Sequence, residues 1–372
     1  MNKTIRSVYD LPTPALLIDL DRAKANILMM QEKANALGLK LRPHIKTHRM
    51  PYFAGLQMEA GAAGIACAKL GEAEVMADAG ISDIFIANEL IGADKYERLR
   101  ALHRRIHVRC GIDNEVQLAQ MEEIFAEEER PLEVLIEYEV GEVRSGIVTD
   151  EQLLRLTEKI LASRHVALRG IFSHEGHCYA AKDRDDCRAK ALEAYARTVR
   201  AAELMHSCGA RIDTVSIGAT PSIMNCESFD GVTELRPGTY IFFDAGQAGA
   251  IGDFSRCAAT VLASVISEPY GARTVLDAGA KALVPQNRPA GVCATAGFGA
   301  VKGAEHIRVQ KLYDEHAVLE DPEFRDLVRV GDKVEIIPSH VCPTVNLYDR
   351  AFLVSGGRVL GEVPVACRGR SV

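Results

Sequence analysis

The sequence predicts an α/β chain: a (β/α)8 barrel of the TIM type, followed by an antiparallel β domain. Three observations carry this. Short β-branched or apolar runs alternate with amphipathic stretches over the first 250 or so residues. After about Ala250 the pattern changes to short strands separated by turn signals. The first of the early runs ends on a lysine, within Leu-Arg-Pro-His-Ile-Lys-Thr-His at 41–48, where cationic and imidazole groups concentrate.

Pro43 resists helix and favours extended chain, so 42–46 reads as a strand whose last residue, Lys46, points at something. Further strands are expected at 64–68, 83–88, 107–112, 133–138, 168–174, 213–218 and 234–240, making eight with the first. The stretches between them, among them 69–79, 114–127, 150–163 and 182–208, are polar on one side at helical period and rich in Ala, Leu, Glu and Arg. Strands alternating with helices imply a parallel sheet, and eight such units imply a closed barrel; an open sheet of six or seven strands is the alternative. Beyond 250, strands are expected at 259–266, 273–277, 306–312, 333–338, 351–355 and 358–363, with Gly356-Gly357 as a hairpin turn. The expected division is a barrel over 19–250 and a β domain over 251–372.

A chain of 372 residues, 48% hydrophobic, can bury a large core in two domains. A net charge of −7 provides no footprint for nucleic acid or an anionic membrane. The first ten residues lack the apolar core of a signal peptide, and no run suits a spanning helix. Ten cysteines without a Cys-x-x-Cys pair argue against a disulfide framework or zinc ribbon, so a reducing cytoplasm is expected.

Barrel chemistry gathers where the strands finish. Lys46 ends the first, Arg144 follows the fifth, and His174 ends the sixth. Gly218 and Thr220 follow the seventh, and Gly238 with Thr239 the eighth. A lysine of ordinary pKa, about 10.4, is a poor nucleophile, but neighbouring Arg42, His44 and His48 can disfavour its charged form. The freed amine can condense with an aldehyde. Glycine- and hydroxyl-bearing turns expose backbone N–H groups suited to a phosphate. Together they suggest pyridoxal phosphate, with Lys46 on the aldehyde and the 218–220 and 238–239 turns on the phosphate. Singly, each residue reads equally as a solvated rim lysine or an ordinary turn.

Thr13-Pro-Ala-Leu-Leu-Ile-Asp, Arg42-Pro-His-Ile-Lys46-Thr-His, Gly146 after Arg144, Ser216-Ile-Gly-Ala-Thr-Pro-Ser222 and Pro338-Ser-His-Val-Cys-Pro-Thr-Val-Asn-Leu347 occur in this order. The chain thereby resembles the D-threonine aldolase and D-serine dehydratase family, alanine-racemase-like pyridoxal phosphate enzymes of fold type III. The resemblance runs from about residue 11 onward. It implies a lysine-bound cofactor, a divalent metal, D-3-hydroxy amino acid substrates and a homodimer, and it assigns 1–18 to the β domain. It supports Arg144 on the cofactor's phenolate oxygen and matches Arg236 to the arginine facing the pyridine nitrogen. Tyr179 is a candidate for the phosphate, and His316 for the site's β-domain side.

His340-Val-Cys342, read as a strand, puts both side chains on one face. Histidine nitrogen and cysteine thiolate favour zinc; from spacing alone, packed residues of a small domain fit as well. The resemblance favours ligands, with manganese or magnesium as alternatives to zinc. Cys342 looks dehydratase-like, while Val-Asn-Leu-Tyr-Asp after it and Ala87-Asn-Glu-Leu-Ile-Gly92 look aldolase-like. The expected activity is retro-aldol cleavage to glycine and an aldehyde, with His174 as base. The alternative is a D-serine or D-threo-3-hydroxyaspartate dehydratase; an amino acid racemase or a non-catalytic pyridoxal phosphate carrier ranks below both.

Overall fold

The computed structural model describes residues 7–372. Strand β1 (Ala15–Asp19) precedes eight strands that share one parallel sheet. These are β2 (Lys40–Leu41), β3 (Ile65–Cys67), β4 (Asp83–Glu89), β5 (His107–Ile112), β6 (Leu132–Glu137), β7 (Val166–Phe172), β8 (Thr214–Ile217) and β9 (Glu234–Leu235). Their order is β2-β9-β8-β7-β6-β5-β4-β3, and one parallel bridge, His44 with Ala66, joins the two ends. The sheet is therefore closed. Helices such as Asp150–Leu161 and Arg184–Ser207 cover its outside. The helix 150–161 buries Leu153, Leu156 and Ile160, and a Thr149 capping box starts it.

Two of the eight strands stop earlier than expected. β2 ends at Leu41, and Ile45–Thr47 forms a single 3-10 turn, so Lys46 lies on a turn past the strand and not at its end. β9 ends at Leu235, followed by a second such turn at Thr239–Ile241. Pro43 and Pro237 explain both, because a residue without an N–H cannot extend the ladder.

The second sheet contains β10 (Ala259–Ser267), β11 (Arg273–Leu276), β12 (Gly299–Val301), β13 (Ala304–Arg308), β14 (Lys311–Leu312), β15 (Ala317–Glu320), β16 (Lys333–Pro338), β17 (Arg350–Ser355) and β18 (Arg358–Pro364). Here 306–312 is split between β13 and β14, and β12 and β15 are strands too short to stand out in the sequence. Gly356 and Gly357, with φ of 53° and 75°, turn the β17–β18 hairpin. β1 pairs antiparallel with β10 and parallel with β17, which threads the start of the chain through this sheet; residues 1–6 of the expected 1–18 segment lie outside the described residues.

The chain does not pass through 340–342 as a strand. It leaves β16 at Pro338, and His340 precedes a short helix, Val341–Val345. Pro343 is tolerated there because the first helical turn needs no N–H donor. Among the described residues no helix is long and apolar enough to cross a membrane.

Inside the barrel, the ends of the strands away from Lys46 carry charge. Buried Arg42 pairs through Nε with Glu234 at 2.8 Å and through Nη1 with Asp83 at 2.6 Å. His107 continues the chain to Asp83 at 3.0 Å and Glu133 at 2.8 Å, and Arg169 reaches Glu133 at 2.8 Å. Hydrogen bonds donated to these two carboxylates raise the His107 pKa to about 9. Removing Arg42 strands the buried Glu234 carboxylate. Arg42→Leu is expected to cost about 3 to 5 kcal/mol in urea unfolding, and Arg42→Leu with Glu234→Leu distinctly less than the sum of the single variants.

Candidate active site

One cavity opens at the C-terminal ends of the barrel strands. Lys46, Arg144, His174, Tyr179, Gly218, Thr220, Arg236, Gly238 and Thr239 all line it, so the structure brings together every barrel residue that the sequence assigned to catalysis or the cofactor. Of the three expected neighbours of Lys46 only His44 lines it, and the structure adds Ala87, Glu137, Phe172 and Ala219.

Partly buried Lys46 has its pKa lowered, chiefly by burial, with the Cys342 sulfur opposing and the Arg144 and Arg236 guanidinium groups assisting. The assisting cations are not the expected ones. Arg42 faces the other end of the barrel on its carboxylates, and His48 is buried between the Gln57 side chain and the Met50 N–H. Burial lowers the His48 pKa to about 4. His44 stays close, its Nδ1 accepting from the Lys46 N–H at 3.4 Å.

His174 hydrogen-bonds through Nδ1 to the Gly218 carbonyl. A carbonyl only accepts, so Nδ1 bears the proton. Burial, then Lys46 and Arg144, holds the ring's pKa well below the usual imidazole range. Nε2 therefore keeps its lone pair, with a Glu142 oxygen 4.0 Å away.

Backbone geometry fits a phosphate. The N–H groups of Gly218, Ala219, Thr220, Gly238 and Thr239 find no acceptor among the described residues, and all five residues line the cavity. A Cβ on Gly218 would sit 2.6 Å from the Arg236 carbonyl oxygen, so only glycine allows this approach.

The floor is Arg236. Its guanidinium donates to Ser216 Oγ and the Ser173 carbonyl, each at 2.7 Å, and lies 5.1 Å from the Phe172 ring centroid. On the wall, Arg144 faces Glu137 at 3.5 Å and Glu142 at 3.3 Å. Glu137 holds the end of its strand as His174 follows its own; that parallel position is the one sequence signal that could have found it.

His340 and Cys342 approach from the second sheet. Cys342 Sγ lies 3.3 Å from Thr47 Oγ1 and 3.8 Å from Thr239 Oγ1, so it stands beside the Lys46 turn. Burial disfavours both charged forms, yet a mutual hydrogen bond raises His340 and lowers Cys342. The Gln286 carboxamide oxygen holds His340 Nδ1 at 3.0 Å, which leaves Nε2 as a ligand atom. This donor set suits a soft divalent cation with open positions; no third His, Cys, Asp or Glu among the described residues completes a metal cluster. His316 is elsewhere, in a depression on the β domain with Arg273, Lys311 and Tyr313. Gln286 was invisible in the sequence because only folding carries its loop to His340.

A closed parallel barrel with a lysine at its mouth, sewn to a mostly antiparallel sheet, is the alanine-racemase-like architecture. Residues 18–246 match the family described as alanine racemase, N-terminal domain, and residues 258–354 the putative serine dehydratase domain. A D-threonine aldolase of an Arthrobacter species is 32% identical over 96% of this chain and 93% of its own length. A D-threo-3-hydroxyaspartate dehydratase of a Delftia species is 32% identical over 91% and 93%. The crystal structure of D-threonine aldolase from Filomicrobium marinum superposes with a TM-score of 0.89 at 30% identity, covering 99% of each chain. The chain belongs to the D-threonine aldolase and D-serine dehydratase family of fold-type III pyridoxal phosphate lyases.

If Lys46 carries the cofactor, borohydride treatment after incubation with pyridoxal phosphate is expected to leave a phosphopyridoxyl group on the Lys46 peptide, detected by mass, and none on Lys46→Ala protein.

Proposed function

We propose that the protein is a pyridoxal phosphate- and divalent-metal-dependent lyase that cleaves the Cα–Cβ bond of D-3-hydroxy amino acids, converting D-threonine to glycine and acetaldehyde. The observation that carries this reading is His174, a neutral imidazole with its Nε2 lone pair free at a cavity it shares with Lys46. Retro-aldol cleavage needs a base for the β-hydroxyl proton, and an imidazole nitrogen with a free lone pair can accept it.

Bound pyridoxal phosphate supplies an aldehyde for amine groups and a conjugated ring that takes up the electron pair left at Cα. A divalent cation on His340 and Cys342 supplies a Lewis acid for the β-hydroxyl, and the nitrogen–sulfur pair favours zinc over manganese or magnesium. The chain's own groups do the rest. The unpaired N–H groups at 218–220 and 238–239 hold the phosphate, with Tyr179 beside them. Arg144, beside Glu137 and Glu142, would face the phenolate oxygen. Arg236, held by two hydrogen bonds, would present its cation to the ring nitrogen and disfavour protonation there. Lys46, with its pKa lowered, would supply the amine that holds the cofactor's aldehyde. His174 Nε2 takes the hydroxyl proton as the aldehyde departs.

One observation favours the second reading, a D-serine or D-threo-3-hydroxyaspartate dehydratase. The same lowered pKa makes Lys46 a base for the Cα proton, and the soft Cys342 ligand stands beside it.

Incubation of the purified, zinc- and manganese-supplemented protein with D-threonine separates the two. Glycine plus acetaldehyde is expected; 2-oxobutanoate plus ammonia would transfer the protein to the dehydratases. His174→Phe is expected to slow glycine release by roughly 100- to 10,000-fold while the cofactor absorbance persists. His340→Ala is expected to weaken zinc binding by 10-fold or more in competition with a chromophoric chelator, and unchanged affinity removes the metal from this pair.

A further inference from the structure

The loop between β11 and β12 belongs to the second sheet yet packs against Tyr179, which lines the barrel cavity. It is fastened at both sides. Gln286 holds His340 Nδ1 with its side chain, and its carbonyl accepts from Ser339 Oγ at 2.7 Å. Further along, Val292 N–H donates to the Ala181 carbonyl at 2.6 Å and Cys293 N–H to the Tyr179 carbonyl at 3.3 Å. Arg288 lies between these anchors. Its own backbone closes a small ring with Thr295, N to Oγ1 at 3.3 Å and carbonyl to N–H at 3.0 Å. Its guanidinium stacks 4.3 Å from the Tyr179 ring centroid, and that ring in turn lies 6.4 Å from the His174 ring.

Arg288 is half-buried, and among the described residues its guanidinium makes no ion pair and no hydrogen bond. Asp244, whose carboxylate shares the surroundings of Gly246 with the Arg288 guanidinium, is already committed: it accepts from Gln247 N–H at 2.8 Å and Val341 N–H at 3.0 Å. A guanidinium held by stacking, with its donor edge unspent, is arranged for a planar anion.

Its place decides which anion. The β carbon of a D-3-hydroxy amino acid carries a hydroxyl and one further substituent. Arg288 stacks on Tyr179, whose ring neighbours His174, and shares a loop with Gln286, which holds His340; a substrate whose hydroxyl meets His174 and the His340–Cys342 pair would bring that substituent toward this guanidinium. We propose that Arg288 is the specificity-determining residue of this enzyme and that it recognises a carboxylate on the β carbon, so that D-3-hydroxyaspartate is preferred to D-threonine. This rests on the lyase reading above but not on which bond is cleaved.

The test compares kcat/KM for D-threo-3-hydroxyaspartate and D-threonine in wild type, Arg288→Lys and Arg288→Leu. Release of glyoxylate or oxaloacetate reports the first substrate. The wild-type preference for the dicarboxylate is expected to fall on the order of 100-fold in Arg288→Leu and to an intermediate value in Arg288→Lys, which keeps the charge and loses the fork. An unchanged ratio overturns the proposal, including the case in which both substrates slow equally. Binding separates it from the lyase reading. D-Malate, which has the second carboxylate and no amine, is expected to bind wild type by calorimetry at least 10-fold tighter than Arg288→Leu, relative to 3-hydroxybutyrate. If wild type turns over neither substrate the lyase reading fails, and the malate ratio alone then supports or overturns Arg288 as the carboxylate's partner.

Discussion

The fold depends on how Arg42 closes the barrel. The seam between β2 and β3 is a short join: β2 has two residues, and the crossing rests on the His44–Ala66 bridge and the Ala63 N–H to Leu41 carbonyl bond at 2.8 Å. Arg42 spans this seam from inside. It bonds to Glu234 on one flank of β2 and to Asp83 on β4 beyond β3, so one guanidinium ties three strands. Buried ion pairs offset their desolvation only when every charge has a partner, and here Asp83, His107, Glu133 and Arg169 continue the pairing. The brevity of β2 has a use: a chain released at Leu41 can turn at 45–47 and set Lys46 over the cavity.

Above that charged layer lies an aromatic one. Phe85 and Phe172 meet edge-on, with ring centroids 5.1 Å apart, and Arg236 rests over both. The aromatic pair separates two sets of ionised groups with different tasks. Below, every charge is neutralised by a neighbour and serves closure. Above, Lys46, Arg144 and Arg236 stand in one cavity, and their mutual repulsion with burial favours an uncharged lysine. Glu137 and Glu142 moderate that excess through Arg144.

The two sheets meet at the cavity. Asp244, just past the barrel, takes the Val341 N–H, Thr47 and Thr239 flank Cys342, and Gln286 orients His340. The pair from the second sheet is thus positioned by groups on both sides of the join, and Arg288 enters by the loop that carries Gln286.

Much of this was legible before folding was considered. Strand rhythm announced the barrel, because period and length report burial directly. Lys46, His174 and the 218–220 and 238–239 turns share one cavity, as the gathering of barrel sites at strand ends leads one to expect, a rule that converts position in sequence into position in space. Where the reading failed, a local signal competed with a distant one: Pro43 ended a strand two residues after it began, and His340-Val-Cys342 became a turn and helix. By itself the sequence determined the architecture and the residue types at each strand end, since these follow from local patterning. Tertiary structure decided which cations act on Lys46, that Arg42 serves closure, and that Gln286 and Arg288 reach the mouth. Those facts depend on contacts between residues far apart in the chain, and no periodicity records them.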